Sequence, residues 1–332
     1  MYEWAEFRHF LYLLTILESG GLRSAAERLN TSQPNLSVQA KQFQEFGSFC
    51  LYRRAKSGRI EPTAAGLAFV GLARQVLEAR DEAIEALVAI ERGEVGSIRL
   101  GCSPLVDQEL FRTLCAMHKE LLPACPIWPT HADTMQLANE ILVGEIDAAL
   151  ITQPLKHPEL RVETLRHDSL VVCLRRDSPL VKGTAIQISD LQENLAILYH
   201  PQRHIDAHAK LLDLLQDAGV KIEKFATATH PSEMQMLVKE GYGLALIREG
   251  TPLDAELTTR RVVGVDWTVG TAVVFHREKH PKTIPPIIRK LRRRVRQASA
   301  SSVDRPKAAP IRATNADAST NQSKPVQLPL LR

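Results

Sequence analysis

Between Thr63 and Arg92 the chain has no proline, and alanine and leucine dominate. Such a run reads as one helix, roughly 45 Å long at 1.5 Å per residue. Val70, Ala73, Leu77, Ile84 and Leu87 fall near heptad positions, with Arg80 interrupting. A second stripe of Phe69, Val76, Ala83 and Ile90 lies beside the first. A helix apolar over so wide an arc must bury two sides. A helix from a second copy is the economical cover, and packing on its own chain is the competing account.

The segment up to Pro62 is helical and then turns basic. Phe7, Phe10, Leu11, Leu14 and Leu17 predict an amphipathic helix, stopped by Gly20-Gly21. In "RSAAERLNTSQPNLSVQAKQFQEF", Arg23 to Phe46, the positions Leu22, Ala25, Ala26 and Leu29 keep helical spacing. A polar break comes next at Asn30-Thr31-Ser32, and then Leu36, Ala40 and Phe43 resume it. The first stripe covers barely two turns, too few to stand without packing. Ser32 suits an N-cap, and Pro34 is tolerated in a first turn, where its missing N–H would be unpaired. With Leu36, Ala40 and Phe43 turned inward, Pro34, Ser37, Val38 and Lys41 point outward and Gln33 leads. Glutamine can bond adenine edges, serine several groups, and lysine phosphate. "LYRRAKSGRIEPT" then predicts a hairpin about Ser57-Gly58, carrying Arg53, Arg54, Lys56 and Arg59. It can reach adjacent DNA backbone as a wing. The net charge of +4 agrees with a polyanionic partner without requiring one.

After "GEVGS" the pattern changes. Strand-like runs at Ser97–Gly101, Asp147–Ile151, Ser169–Leu174, Leu195–Tyr199 and Gly243–Ile247 alternate with helical runs. Those helical runs are Gln108–Leu121, Met135–Val143, Ala207–Ala218 and Ser232–Lys239. The alternation predicts a mainly parallel, doubly wound α/β sheet, and its length suits two lobes. Ligands in such lobes sit where strands run into helices. Ser103 before Pro104, Thr134, the turn from His200 to His204, and Ser232 with Gln235 three later mark four such starts. Helix N-termini favour anions. A small anionic effector, a carboxylate, is therefore expected in the cleft, with Arg203 as counter-charge. Plain helix capping accounts equally well for each hydroxyl taken singly.

"PPIIRKLRRRVRQ" predicts a closing helix, and the tail from Ala298 to Arg332, poor in aromatics, is expected to be disordered. The basic run Arg289–Arg296 reads as a solvated face complementing a helix C-terminus, in preference to a second DNA contact.

Other classes are poorly served. The cysteines Cys50, Cys102, Cys115, Cys125 and Cys173 are odd in number and form no C-x-x-C pair, so a disulfide framework is not expected. "MYEWAEFRHF" lacks a signal-peptide pattern and no apolar run spans a bilayer, so a cytoplasmic protein is expected. His200, His204 and His208 stand four apart, but Pro201 puts His200 in a turn and no Cys or Glu completes a ligand set. No metal and no cofactor are expected. G-x-S-x-G, P-loop and H-E-x-x-H motifs are absent, so no enzyme is expected. A solute-binding protein or an α/β enzyme without DNA binding is the rival reading, and the basic winged head speaks against both.

"FRHFLYLLTILESGGLRSAAERLNTSQPNLSVQAKQFQEF" followed by "LYRRAKSGRIEPTAAG" resembles the winged helix-turn-helix of LysR-type transcriptional regulators, with "AAERL", "SQPxLS", "LYRR" and "TxAG" in that family's order. The resemblance covers residues 4 to 296 and is strongest at the N-terminus. It implies base-facing Gln33, Pro34 and Ser37, with phosphates held by Lys41 and Arg54. It implies a DNA-binding domain over 1–62 and a dimerising linker helix over 63–92. A two-lobed effector module like a periplasmic binding protein would come next, with lobe 1 formed by 96–165 and 267–296, lobe 2 by 166–266, and a tail at 297–332. Ser103 and Thr134 match positions that line the family's effector pocket. Double-stranded DNA, a small effector, a homodimer and a homotetramer are the implied partners, with room for RNA polymerase. Three departures stand out: Val38 where a basic residue is frequent, Gly21 where a hydroxyl cap is usual, and Arg53 where an acid is common.

Overall fold

The computed structural model describes residues 2–55 and 59–303. The expected turn at Lys56, Ser57 and Gly58, and the tail beyond Val303, lie outside the described residues.

The N-terminal head contains α1 (Phe7–Ser19), α2 (Leu22–Arg28), α3 (Gln33–Gly47), and a two-stranded wing of β1 (Tyr52–Arg54) and β2 (Ile60–Pro62), followed by the long α4 (Ala64–Glu91). Gly20 ends α1 at φ 65°, and its carbonyl accepts from the Ile60 N–H at 2.9 Å, which ties that helix end to the wing. Ser32 caps α3 by accepting from the Asn35 N–H at 3.4 Å, with Pro34 in the first turn. Leu13, Ile16, Ala25, Leu36, Ala40 and Phe43 form the core. Phe69, Ala73 and Leu77 of α4 complete it, so the head leans on the linker helix.

The "TxAG" element has a local cause. Thr63 donates its hydroxyl to the Cys50 carbonyl at 2.6 Å and caps α4 by accepting from the Gly66 N–H at 3.1 Å. A Cβ at Gly66 would lie 1.9 Å from the Leu51 carbonyl oxygen, so only glycine lets α4 pass the wing.

The body continues with β3 (Ile98–Cys102), α5 (Gln108–Leu121), β4 (Ile127–His131), α6 (Thr134–Leu142), β5 (Ala148–Thr152) and β6 (Leu160–Arg175). Next come β7 (Ala185–Ile186), α7 (Ile188–Asn194), β8 (Leu195–Tyr199), α8 (Ile205–Asp217), β9 (Ala226–Ala228) and α9 (Pro231–Lys239). The chain closes with β10 (Leu244–Arg248), β11 (Leu257–Val262), β12 (Thr268–His276) and α10 (Ile284–Val303). Strand order is β4-β3-β5-β12-β6-β10-β8-β9, with β11 beside β6 and β7 on β11.

The sheet corrects the expectation of a mainly parallel architecture. β3 pairs in parallel with β4 and β5, and β8 with β9 and β10, but every pairing of β6 and β12 is antiparallel. The reason is that two lobes share these strands. β6 pairs with β12 from Leu160 to Ser169, then with β10 and β11 up to Arg175, so it runs from one lobe into the other. Apart from Leu160 at its start, only Val171–Leu174 is fully buried, and that is the part its apolar pattern announces. Each sheet face carries a core. In lobe 1, Leu100, Leu150, Phe275 and Leu291 pack on one face, and Leu137, Ile151 and Val274 on the other. In lobe 2 the corresponding sets are Val172, Leu198 and Leu246, and Cys173, Ile197 and Met234.

The closing helix also corrects the sequence reading, because α10 runs to Val303, past the expected tail start at Ala298. "ASASSV" contains no glycine or proline, so nothing local stops it. No helix among the described residues is long and apolar enough to cross a membrane.

Candidate DNA-binding face and interlobe cleft

On α3 the outward set lies outward. Gln33, Pro34 and Lys41 are exposed, Ser37 is half-buried, and Leu36, Ala40 and Phe43 face the core. Val38 is 52% exposed, an apolar surface position on an otherwise polar face. Lys41 meets Glu45 at 3.5 Å, both exposed, a pair weak enough to release the lysine to a phosphate. An open groove of about 600 Å³ brings Gln33 together with Arg54 and Arg59. Arg53, its neighbour on β1, is exposed but does not line the groove, since alternate strand residues face opposite sides. Arg23 lines the groove as well, a position that sequence patterning did not single out although it opens α2's first turn.

None of Ser103, Thr134, His200, Arg203 and Ser232 lines the interlobe cavity, and the expected caps are corrected. Asp107, not Ser103, caps α5 by accepting from the Glu109 N–H at 3.0 Å. Asp133, not Thr134, caps α6 by accepting from the Gln136 N–H at 3.0 Å. His230, not Ser232, caps α9 in a capping box with Glu233. Ser232 is exposed and donates its hydroxyl to His230 Nδ1 at 2.7 Å. A neighbouring carboxylate or imidazole wins each cap, which frees Ser103 and Thr134 from capping. Ser103 is 0% and Thr134 5% exposed, and neither hydroxyl has a hydrogen-bond partner.

The expected counter-charge also moves. Arg203 is exposed on the turn before α8, and the buried cation is Arg248 at the end of β10. Its Nη1 donates to the Glu249 carbonyl at 3.0 Å, while its Nε is buried and unpartnered. Its terminal nitrogens stand 4.0 Å from both Asp107 and Asp168. Arg166 holds those two carboxylates at 2.8 and 2.9 Å. Burial pushes the Asp107 carboxyl up, but the Arg166 guanidinium, the Glu109 N–H and the Arg248 charge together hold it below the usual range. Arg248, Tyr199, Leu170, Leu211 and Leu246 of one lobe face Leu105, Thr152 and Gln153 of the other across a cavity of about 60 Å³. That holds a few waters, so the lobes stand closed.

His200 is half-buried in its turn, with Nδ1 accepting from the Gln202 N–H at 3.3 Å. His208 donates from Nδ1 to the Tyr199 carbonyl at 2.9 Å. His204 is 2% exposed and neither ring nitrogen has a partner. Burial holds its pKa below the ordinary value, against the opposing pulls of Asp133 and the Thr229 backbone. His118 is lowered by burial too. Neutral histidines in the fold contribute stability that is present above about pH 6.5, the unfolded value, and is lost as pH falls through the lower folded values. The melting temperature is therefore expected to fall between pH 7.5 and 5.5, and a His204→Gln protein to show a shallower fall. A flat pH profile, measured by calorimetry, would contradict the neutral assignment.

The fold and its two sites define a class: a winged DNA-binding head joined by a long helix to a ligand-binding module. The family model "LysR substrate binding domain" matches residues 91–300, and "Bacterial regulatory helix-turn-helix protein, lysR family" matches residues 7–67. The chain belongs to the LysR family and is a DNA-binding transcriptional regulator with an effector-binding domain, not an enzyme. It is 25% identical over 285 residues to HTH-type transcriptional regulator AlsR of Bacillus subtilis (strain 168), covering 85% of this chain and 94% of that one. It is 25% identical over 245 residues to BudR of Raoultella terrigena, covering 73% and 84%. Among solved structures, full-length CbnR complexed with its target DNA matches with a TM-score of 0.53 at 22% identity, over 88% of this chain and 100% of that one. Full-length BenM matches with a TM-score of 0.54 at 20% identity, over 92% and 100%.

Proposed function

We propose that this regulator acts in the cytoplasm, reads DNA with α3, and is controlled by a small carboxylate with an apolar body held between the lobes. Gln33, Pro34 and Ser37 face bases, and Lys41, Arg53, Arg54 and Arg59 face phosphates; of these four, Arg54 and Arg59 share the groove with Arg23. Arg248 is the counter-charge, Ser103 and Thr134 are hydrogen-bonding partners, and His200 and His204 lie at the rim. Leu72, Ile84, Leu87 and Ile90, exposed on α4, form the face that a second copy covers.

One observation carries the ligand reading. Buried polar groups are normally paired, yet the Nε of Arg248, a residue that lines the cavity, has no partner, nor do the buried hydroxyls of Ser103, just past β3, and Thr134, at the start of α6. An anion with acceptor oxygens satisfies such donors, and the leucine walls suit an apolar body. A thermal-shift screen of two- to eight-carbon monocarboxylates, followed by isothermal titration of the best one against Ser103→Ala and Thr134→Val proteins, tests it. Weaker binding in either supports the site. No stabilising carboxylate, or unchanged affinity in both variants, overturns it.

A further inference from the structure

The basic run of the closing helix has a division of labour that its sequence does not reveal. α10 buries Ile284, Ile287, Ile288 and Leu291 in the lobe 1 core, so its opposite face is held at a fixed angle to the body. On that outer side and its flanks, Arg289 pairs with Glu82, Lys290 with Glu120 at 2.6 Å, and Arg292 with Glu163 at 2.9 Å. Arg293 and Arg294 are exposed and make no hydrogen bond or ion pair among the described residues. Arg294 acts on Glu120 only at a distance, that carboxylate being bonded to Lys290. Glu82, Glu120 and Glu163 are thus already engaged. Nor do these arginines complement a helix end, because α10 continues to Val303 and its last turn carries no basic residue.

The direction of the helix matters. Lys282, just before α10, meets Glu85 of α4 at 3.0 Å, whereas Arg289 reaches Glu82 and the Gln75 carbonyl. Proceeding along α10 therefore means moving back along α4 toward the winged head. Gln75 lies about 17 Å along α4 from Ala64, and Arg293 is a turn further in that direction. Two unpaired guanidiniums fixed on the head side of the body suit a polyanion that extends past the head.

We propose that Arg293 and Arg294 form a second contact with the DNA backbone, outside the segment read by α3. This rests on the head being the primary DNA contact. The test measures the slope of log Kd against log salt for the full chain on a 16-base-pair and a 60-base-pair mixed-sequence duplex. The R293Q/R294Q protein is expected to lose about 2 from the slope per chain on the long duplex, near one per phosphate contact. Its slope on the short duplex should match wild type, and R293E/R294E should weaken long-duplex binding further. Equal slopes for wild type and R293Q/R294Q on the long duplex overturn the proposal and direct this face to an acidic protein surface. If wild type shows no salt dependence on the short duplex, the head reading fails, while a long-duplex slope removed by R293Q/R294Q still supports the α10 contact.

Discussion

The Phe43→Ala protein is expected to lose most of the stability of its N-terminal head. Phe43 is 3% exposed, and its ring centroid lies 5.1 Å from Trp4, 5.5 Å from His9, 5.4 Å from Phe10, 5.5 Å from Phe49 and 5.9 Å from Phe69. It joins α1, α3, the approach to the wing and α4 at one point. Removing a buried phenylalanine costs about 3–5 kcal/mol, and for a domain of this size each kcal/mol lowers the melting temperature by about 4–8 °C. The head's transition in a calorimetric scan should fall by more than about 12 °C, while the lobes, whose cores do not include Phe43, melt as before. A shift under about 4 °C would mean that the head's core is not organised around this ring.

The second large effect is expected at Arg248. Methionine there keeps the length and apolar stem but removes the charge. Truncating one partner of a buried charged contact costs about 2–5 kcal/mol in binding, or roughly 30- to 3000-fold. Arg248→Met should therefore abolish measurable binding of the carboxylate selected in the screen, with far-ultraviolet circular dichroism unchanged. Arg248→Lys should restore only part of it, since an ammonium offers a point charge in place of a fork. Wild-type affinity in Arg248→Met would remove the anion from the cleft.

The head was legible because its signals are local. Leu36, Ala40 and Phe43 repeat at helical spacing and predicted both the buried face and the outward one. The linker helix was legible for the same reason, but not how its apolar arc is shared. Phe69, Ala73 and Leu77 turn to the chain's own head, and Ile84, Leu87 and Ile90 stay exposed. The hinge strands were not legible, because in Leu160–Arg175 the stretch Arg161–Leu170 is exposed or half-buried and looks like a loop. Hydroxyls at helix starts suit either an effector or a cap, and caps are settled by competition. Asp107, Asp133 and His230 take them, leaving Ser103 and Thr134 buried and unpaired. Arg248 did carry a signal, since it directly follows the predicted strand Gly243–Ile247, at the end where α/β sheets place ligands. Its burial depends on β6 and α5 arriving from elsewhere in the sequence, which no local pattern announces.

The most direct test of a ligand-controlled DNA reader is the anisotropy of a labelled duplex from upstream of the chain's own gene. The full chain is titrated at 50 and 200 mM salt, with and without the saturating carboxylate. Four phosphate contacts per head, from Lys41, Arg53, Arg54 and Arg59, give eight in a dimer. The affinity should then fall by about a thousandfold or more between the two salts, and the carboxylate should change the affinity or the length of DNA protected. Binding that ignores salt, or curves and footprints identical with and without the carboxylate, would contradict the account.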